Sequence, residues 1–118
     1  MKQKKTNYHL IGLVEELKKV SAENGVSIWK RIALDLEKPT RSSRIVNLSR
    51  LNKYTKDKDV VVVPGKVLGT GELEHNITVA AFSFSGSAKE KINSNGKTMT
   101  LRELLSSNPK GQKIKIIG

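Results

Sequence analysis

At Asp59 the hydrophobic period of the chain changes, and this change limits what the chain can fold into more than any other feature. Upstream, apolar residues recur every three or four positions, as one face of a helix requires. Downstream they come in short blocks, "VVVVP" from Val60 and "ITVAAFSF" from Ile77 to Phe84, rich in β-branched residues and bounded by turn formers. The expected order is therefore helices first, then strands interleaved with short helices. With 118 residues there is room for one domain and one aliphatic core, since aromatics make up only 4%.

The helical part, residues 8–58, follows a short basic arm at 1–7 that carries Lys2, Lys4 and Lys5. Leu10, Leu13, Val14, Leu17 and Val20 form one stripe and predict a helix from Tyr8 to Glu23. Gly25 is placed for a left-handed cap at its end. Ser27 opens a second helix through Leu36, with Ile28, Trp29, Ile32, Ala33 and Leu36 inward, and Pro39 closes it. A third helix is expected from Ile45 to Tyr54, with Leu48, Leu51 and Tyr54 inward and Arg50 and Lys53 on another side.

In the second part, residues 59–118, two capping boxes predict short helices: Ser87 with Glu90, and Thr100 with Glu103. "QKIKIIG" reads as a last strand, with Ile114 and Ile116 on one face and Lys113 and Lys115 on the other. Trp29, Leu36, Leu48 and Leu51 are expected to share one core with Val61, Val63, Val79 and Ala81.

Three stretches invite a chemical reading, and each fails on spacing. "VVVVPGKVLGTGEL" places Gly65, Gly69 and Gly71 after a strand. A dinucleotide loop needs G-x-G-x-x-G before a helix, and a P-loop needs its lysine after the last glycine. Here Lys66 follows the first glycine and more strand-like sequence comes after, so the stretch reads as a strand, a Pro-Gly turn, a short strand and a Gly-rich hairpin. "FSFSGSA" has Ser83 and Ser87 where a nucleophile elbow around Ser85 needs glycine. Glu72, Glu74 and His75 alternate like a hairpin edge, with Glu72 and Glu74 on one face, and do not supply the three or four convergent ligands of a zinc site. The other histidine, His9, stands alone at a helix start. No cysteine is present to ligate a metal or form a disulfide. No catalytic pair, metal site or cofactor is predicted, and the reading is of a protein that is not an enzyme.

Charge carries the functional signal. Lys and Arg number 22 against 11 Asp and Glu, a net of +11. Residues 1–58 hold 14 basic and 6 acidic side chains, against 8 and 5 in residues 59–118. Such a field selects a polyanionic partner and says nothing about fold. The run "KPTRSSRIVNLSRLNKYTK" from Lys38 to Lys56 has six basic residues and no acid. Its arginines present planar forks that grip phosphate in two places, and Asn47, Ser42 and Ser43 add neutral donors. The first helix carries too many acids and too few aromatics to lie on a membrane. No helix-turn-helix, zinc finger or basic zipper spacing is visible, nor an aromatic platform for stacked bases. The expectation is recognition of folded RNA through shape and phosphate. Its surface is Arg41, Arg44, Asn47, Arg50 and Lys53, with Lys38 and Lys66 near the margin and Lys4 and Lys5 from the arm.

Three pieces, "KPTRSSRIVNLSRLNKYTK", "VVVVPGKVLGTGEL" and "ITVAAFSFSGSAKEKI", resemble the archaeal and eukaryotic large-subunit ribosomal proteins of the eighteen-e family, relatives of the bacterial large-subunit protein fifteen. The resemblance runs in order from about Leu10 to Ile117. It implies a single α/β domain, with N-terminal helices followed by an irregular ββα superhelical arrangement. It also implies a structural, non-catalytic role without cofactors, binding large-subunit ribosomal RNA beside neighbouring ribosomal proteins in the cytoplasmic large subunit. The residues that match the family's basic signature are Arg41, Arg44, Asn47, Arg50 and Lys66. An independent nucleic-acid-binding module, such as an RNA chaperone or a chromatin-type DNA binder, remains the alternative.

Overall fold

The computed structural model describes residues 8–37 and 45–117. The helical stripes upstream of Asp59 form α1 (Tyr8–Asn24) and α2 (Ile28–Glu37), joined by Gly25 at a φ of 64° in the expected left-handed cap. Then come β1 (Ile45–Asn47), α3 (Leu48–Tyr54), β2 (Val60–Leu68), β3 (Thr78–Phe84), α4 (Gly86–Asn95), β4 (Lys97–Thr100), α5 (Leu101–Ser107) and β5 (Ile114–Ile116). The class is α/β, as expected.

All five strands belong to one parallel sheet. β2 is its centre: one edge pairs with β3 along nearly its whole length, and the other is shared by β5 at Val60–Val62 and β1 at Lys66–Leu68. β4 extends the sheet beyond β3. A parallel sheet is stable when both faces are covered, and this one is. Leu13, Val14 and Leu17 of α1, Trp29, Ile32 and Leu36 of α2, and Leu101, Leu104 and Leu105 of α5 pack on one face around Val62 and Ala80. Leu48 and Leu51 of α3 with Ala88 and Ile92 of α4 pack on the other, around Val46, Val61, Val63, Val67, Val79 and Ala81.

The single shared core is therefore corrected. Successive strand residues point to opposite faces, so Trp29 and Leu36 meet Val62 and Ala80, while Leu48 and Leu51 meet Val61 and Val63. An unbroken run of valines is the sign of a strand covered on both sides, and a core on one face alone cannot use all of them.

Four local expectations change as well. The third helix begins at Leu48 and not at Ile45, because the β-branched Ile45 and Val46 take extended geometry and pair with Lys66 and Val67. Pro64 and Gly65 do not turn the chain. They form a bulge between Val63 and Lys66 within one nine-residue strand, a setting that tolerates proline inside a sheet. No hairpin forms at Gly69–Gly71, since β2 and β3 are parallel, and residues 69–77 cross over without a strand of their own. Helix α4 is capped by Ser85, whose Oγ accepts from Ala88 N at 3.2 Å, and not by Ser87. The Ser85 amide still donates to Val67 O at 2.9 Å, so the chain leaves strand geometry there and the helix starts at Gly86. The Thr100–Glu103 capping box forms as expected, with bonds of 3.0 and 2.8 Å.

Candidate nucleic-acid interface

Helix α3 carries the described part of the basic run. Leu48 and Leu51 bury completely, which turns Arg50, Lys53 and Tyr54 outward. Tyr54, expected inward, is 50% exposed. Its ring lies 5.3 Å from Arg50 Cζ and 5.5 Å from Lys53 Nζ, so both cations lean on its face. The Arg50–Tyr54 spacing of four residues places both on one helical side. Neither Arg50 nor Lys53 has a carboxylate partner among the described residues.

The segment "ELEHN" holds this helix from behind. Asn52 Nδ2 donates to Glu74 Oε1 at 3.2 Å and Asn52 Oδ1 accepts from Glu74 N at 2.8 Å. Thr55 Oγ1 bonds to His75 Nε2 at 2.6 Å, and Asp57 Oδ1 accepts from Asn76 N at 2.9 Å. Glu74 and His75 are thus positioning residues in a loop and not a hairpin edge. The glycine stretch has a related duty. A Cβ on Gly71, at a φ of 96°, would lie 2.7 Å from the Ser49 amide nitrogen, and one on Gly69 would lie 2.2 Å from Ser87 Oγ. These glycines let the loop press against the first turns of α3 and α4.

Lys115 joins the site from β5, a contribution that sequence reasoning does not single out. Its Nζ lies 3.0 Å from Asp59 Oδ2 and 3.5 Å from the Tyr54 carbonyl oxygen. Asp59 also accepts the Lys56 amide at 2.7 Å. That backbone bond, and then Lys115, hold the Asp59 carboxyl below its ordinary value. Between α3 and β5 lies an open groove of about 420 Å³, lined by Arg50, Tyr54, Lys115, Ile116 and Ile117. The only signal for Lys115 is the alternation of "KIKII", and it does not say which helix that strand lies beside.

The other expected residues distribute as follows. Asn47 sits at the N-cap of α3, partly exposed and making no capping bond. Lys66 is exposed on β2, opposite Ile45 of β1 and Ser83 of β3. Because its neighbour Val67 faces the α3 side, Lys66 projects from the other face of the sheet. Lys4, Lys5, Lys38, Arg41 and Arg44 lie outside the described residues. Among the described residues, no helix is long and apolar enough to cross a membrane.

Comparison with known proteins finds relatives along nearly the whole chain. Residues 14–100 match a ribosomal-protein family model whose description joins the 50S proteins L15 and L18e with a 60S counterpart. The chain is 45% identical over 114 residues to the large ribosomal subunit protein eL18 of Methanothermobacter thermautotrophicus, covering 96% of this chain and 94% of that one. It is 46% identical over 113 residues to eL18 of Methanococcus maripaludis, covering 95% and 94%. With eL18 of Haloarcula marismortui the identity is 42% over 113 residues, covering 96% and 97%. A match at this level over nearly the whole of both chains means that the protein belongs to the eighteen-e family of large-subunit ribosomal proteins, a family of structural proteins and not of enzymes.

Proposed function

We propose that this structural constituent of the large ribosomal subunit binds and stabilises folded large-subunit RNA through a basic surface centred on α3. The observation that carries the reading is the outward pair Arg50 and Lys53, without carboxylate partners among the described residues, on a helix braced from behind. It stands within an acid-free run in a chain of net charge +11. Phosphate contacts from such a surface release counterions and supply most of the affinity. Lys38, Arg41, Arg44 and Asn47 extend the surface along the chain, Lys66 contributes from the far face of the sheet, and Lys4 and Lys5 from the arm. The partners are ribosomal RNA and the neighbouring proteins of the subunit.

Sedimentation tests the assignment. The tagged chain should comigrate with large subunits through a high-salt wash, and the Arg50→Ala, Lys53→Ala double variant should be lost from them at lower salt. Free migration of the wild-type chain after the wash would favour an independent nucleic-acid-binding module.

A further inference from the structure

The groove between α3 and β5 differs from a plain phosphate-binding surface. Its walls are an aromatic ring, a guanidinium and two isoleucines, with an ammonium at the rim. Ile117, buried on the α3 face of the sheet, gives the groove an aliphatic floor, while the Ile116 side chain packs on the opposite face. A phosphate gains nothing from such a floor, whereas a nucleobase fits it by its apolar face. Tyr54, half exposed, lines the same groove, and the Arg50 guanidinium leans on its ring. Both planes accept a stacked base. Lys115 is fixed at the rim by Asp59 and the Tyr54 carbonyl. Two of its three N–H donors are used there, leaving one for a ligand oxygen.

We infer that this groove receives one unpaired nucleotide, its base laid against the Tyr54–Arg50 pair and its phosphate facing Arg50 and Lys53. The inference rests on the reading of α3 as an RNA-facing surface, and adds base stacking to what charge alone supplies. A base held in a duplex cannot enter a groove between a helix and a strand, so the site selects single-stranded or bulged RNA.

The test uses the full-length chain and an oligouridylate carrying one 2-aminopurine, alone and annealed to its complement. Binding of the single strand should change the 2-aminopurine fluorescence. Tyr54→Ala should remove that change and weaken single-strand binding about tenfold, as loss of one stacked base does. The same variant should leave duplex affinity within about twofold, because it removes no charge. Tyr54→Phe should behave as the wild type. If Tyr54→Ala alters both ligands equally or neither, while Arg50→Ala and Lys53→Ala weaken both, the nucleotide pocket is wrong and the basic surface stands. If neither RNA binds even at low salt, the α3 surface fails and the pocket with it.

Discussion

The indole nitrogen of Trp29 donates to the carbonyl oxygen of Pro109 at 2.7 Å, across 80 residues of chain. Trp29 is fully buried between α1, α2 and the sheet, and a Cβ on Gly111, at a φ of 62°, would meet the neighbouring Ile28 side chain at 2.4 Å. The loop before β5 is thus latched onto α2, and the two halves of the sequence fold together. Trp29→Ala should destabilise the protein by about 3 to 5 kcal/mol through the cavity it leaves. Trp29→Phe keeps most of the apolar contact and loses the bond to Pro109, a residue exposed to water, at about 0.5 to 1.5 kcal/mol. Urea unfolding of both variants checks the order; equal loss would mean that the hydrogen bond, which both variants lack, carries the effect and the cavity adds nothing.

Gly96 and Gly86 stand at opposite ends of α4 and should respond oppositely to alanine. A Cβ on Gly96 would lie 2.0 Å from the Ile77 carbonyl oxygen, which accepts the Lys97 amide at 3.0 Å. Backbone cannot swing aside as a side chain can, so Gly96→Ala should separate β3 from β4 and cost several kcal/mol, about the size of other overpacked core changes or more. Gly86 has nothing within 4 Å of its would-be Cβ. Gly86→Ala should stabilise by up to about 1 kcal/mol, by restricting the unfolded chain. Thermal unfolding of the two variants reads both signs.

Which parts of this architecture are legible in the sequence follows from the range of the interactions that set them. The stripes of α1 and α2, the Gly25 cap and the Thr100–Glu103 box are local, and the sequence carries them in full. The start of α3 is not local: Ile45 and Val46 become a strand only because Lys66 and Val67 supply the partner edge. The same holds for the bulge at Pro64, which looks like a turn until β3 is placed beside it. At the site, charge identifies Arg50 and Lys53, whereas the outward turn of Tyr54 and the arrival of Lys115 depend on where β5 docks. Glu74 and His75 suggest chemistry by residue type, and their partners Asn52 and Thr55 show a brace instead.

Asp59 links β2 to the site and sets an acid limit. Its pKa is lowered, first by the Lys56 amide and then by Lys115. A carboxyl held below its unfolded value adds stability that is full above about pH 4 and fades as pH falls through the folded value. The group is partly exposed, so solvent screens the effect and keeps it small. Asp59→Asn should therefore lower stability slightly at neutral pH and flatten its decline below about pH 4. Urea titrations at several pH values measure this, and an unchanged acid decline in the variant would assign it to other carboxyls.

Salt dependence is the broadest check on the basic surface. With roughly six phosphate contacts at 0.7 to 0.9 released counterions each, log K for large-subunit RNA should fall by about four to five per decade of salt. Arg50→Ala should lower the affinity and reduce that slope by about one. The control needs the same charge change elsewhere. Lys30 serves, being exposed on α2 and outside the residues proposed to face the RNA. Ser85 and His75 make poor controls, because Ser85 caps α4 and His75 braces Thr55, so their loss acts through structure. Long-range attraction alone would make Lys30→Ala and Arg50→Ala equivalent, since each lowers the net charge by one. Direct contact at α3 makes them differ, with the slope changed only by Arg50→Ala. Filter binding at four or more salt concentrations separates the cases, and parallel slopes for both variants would show that α3 does not touch the RNA.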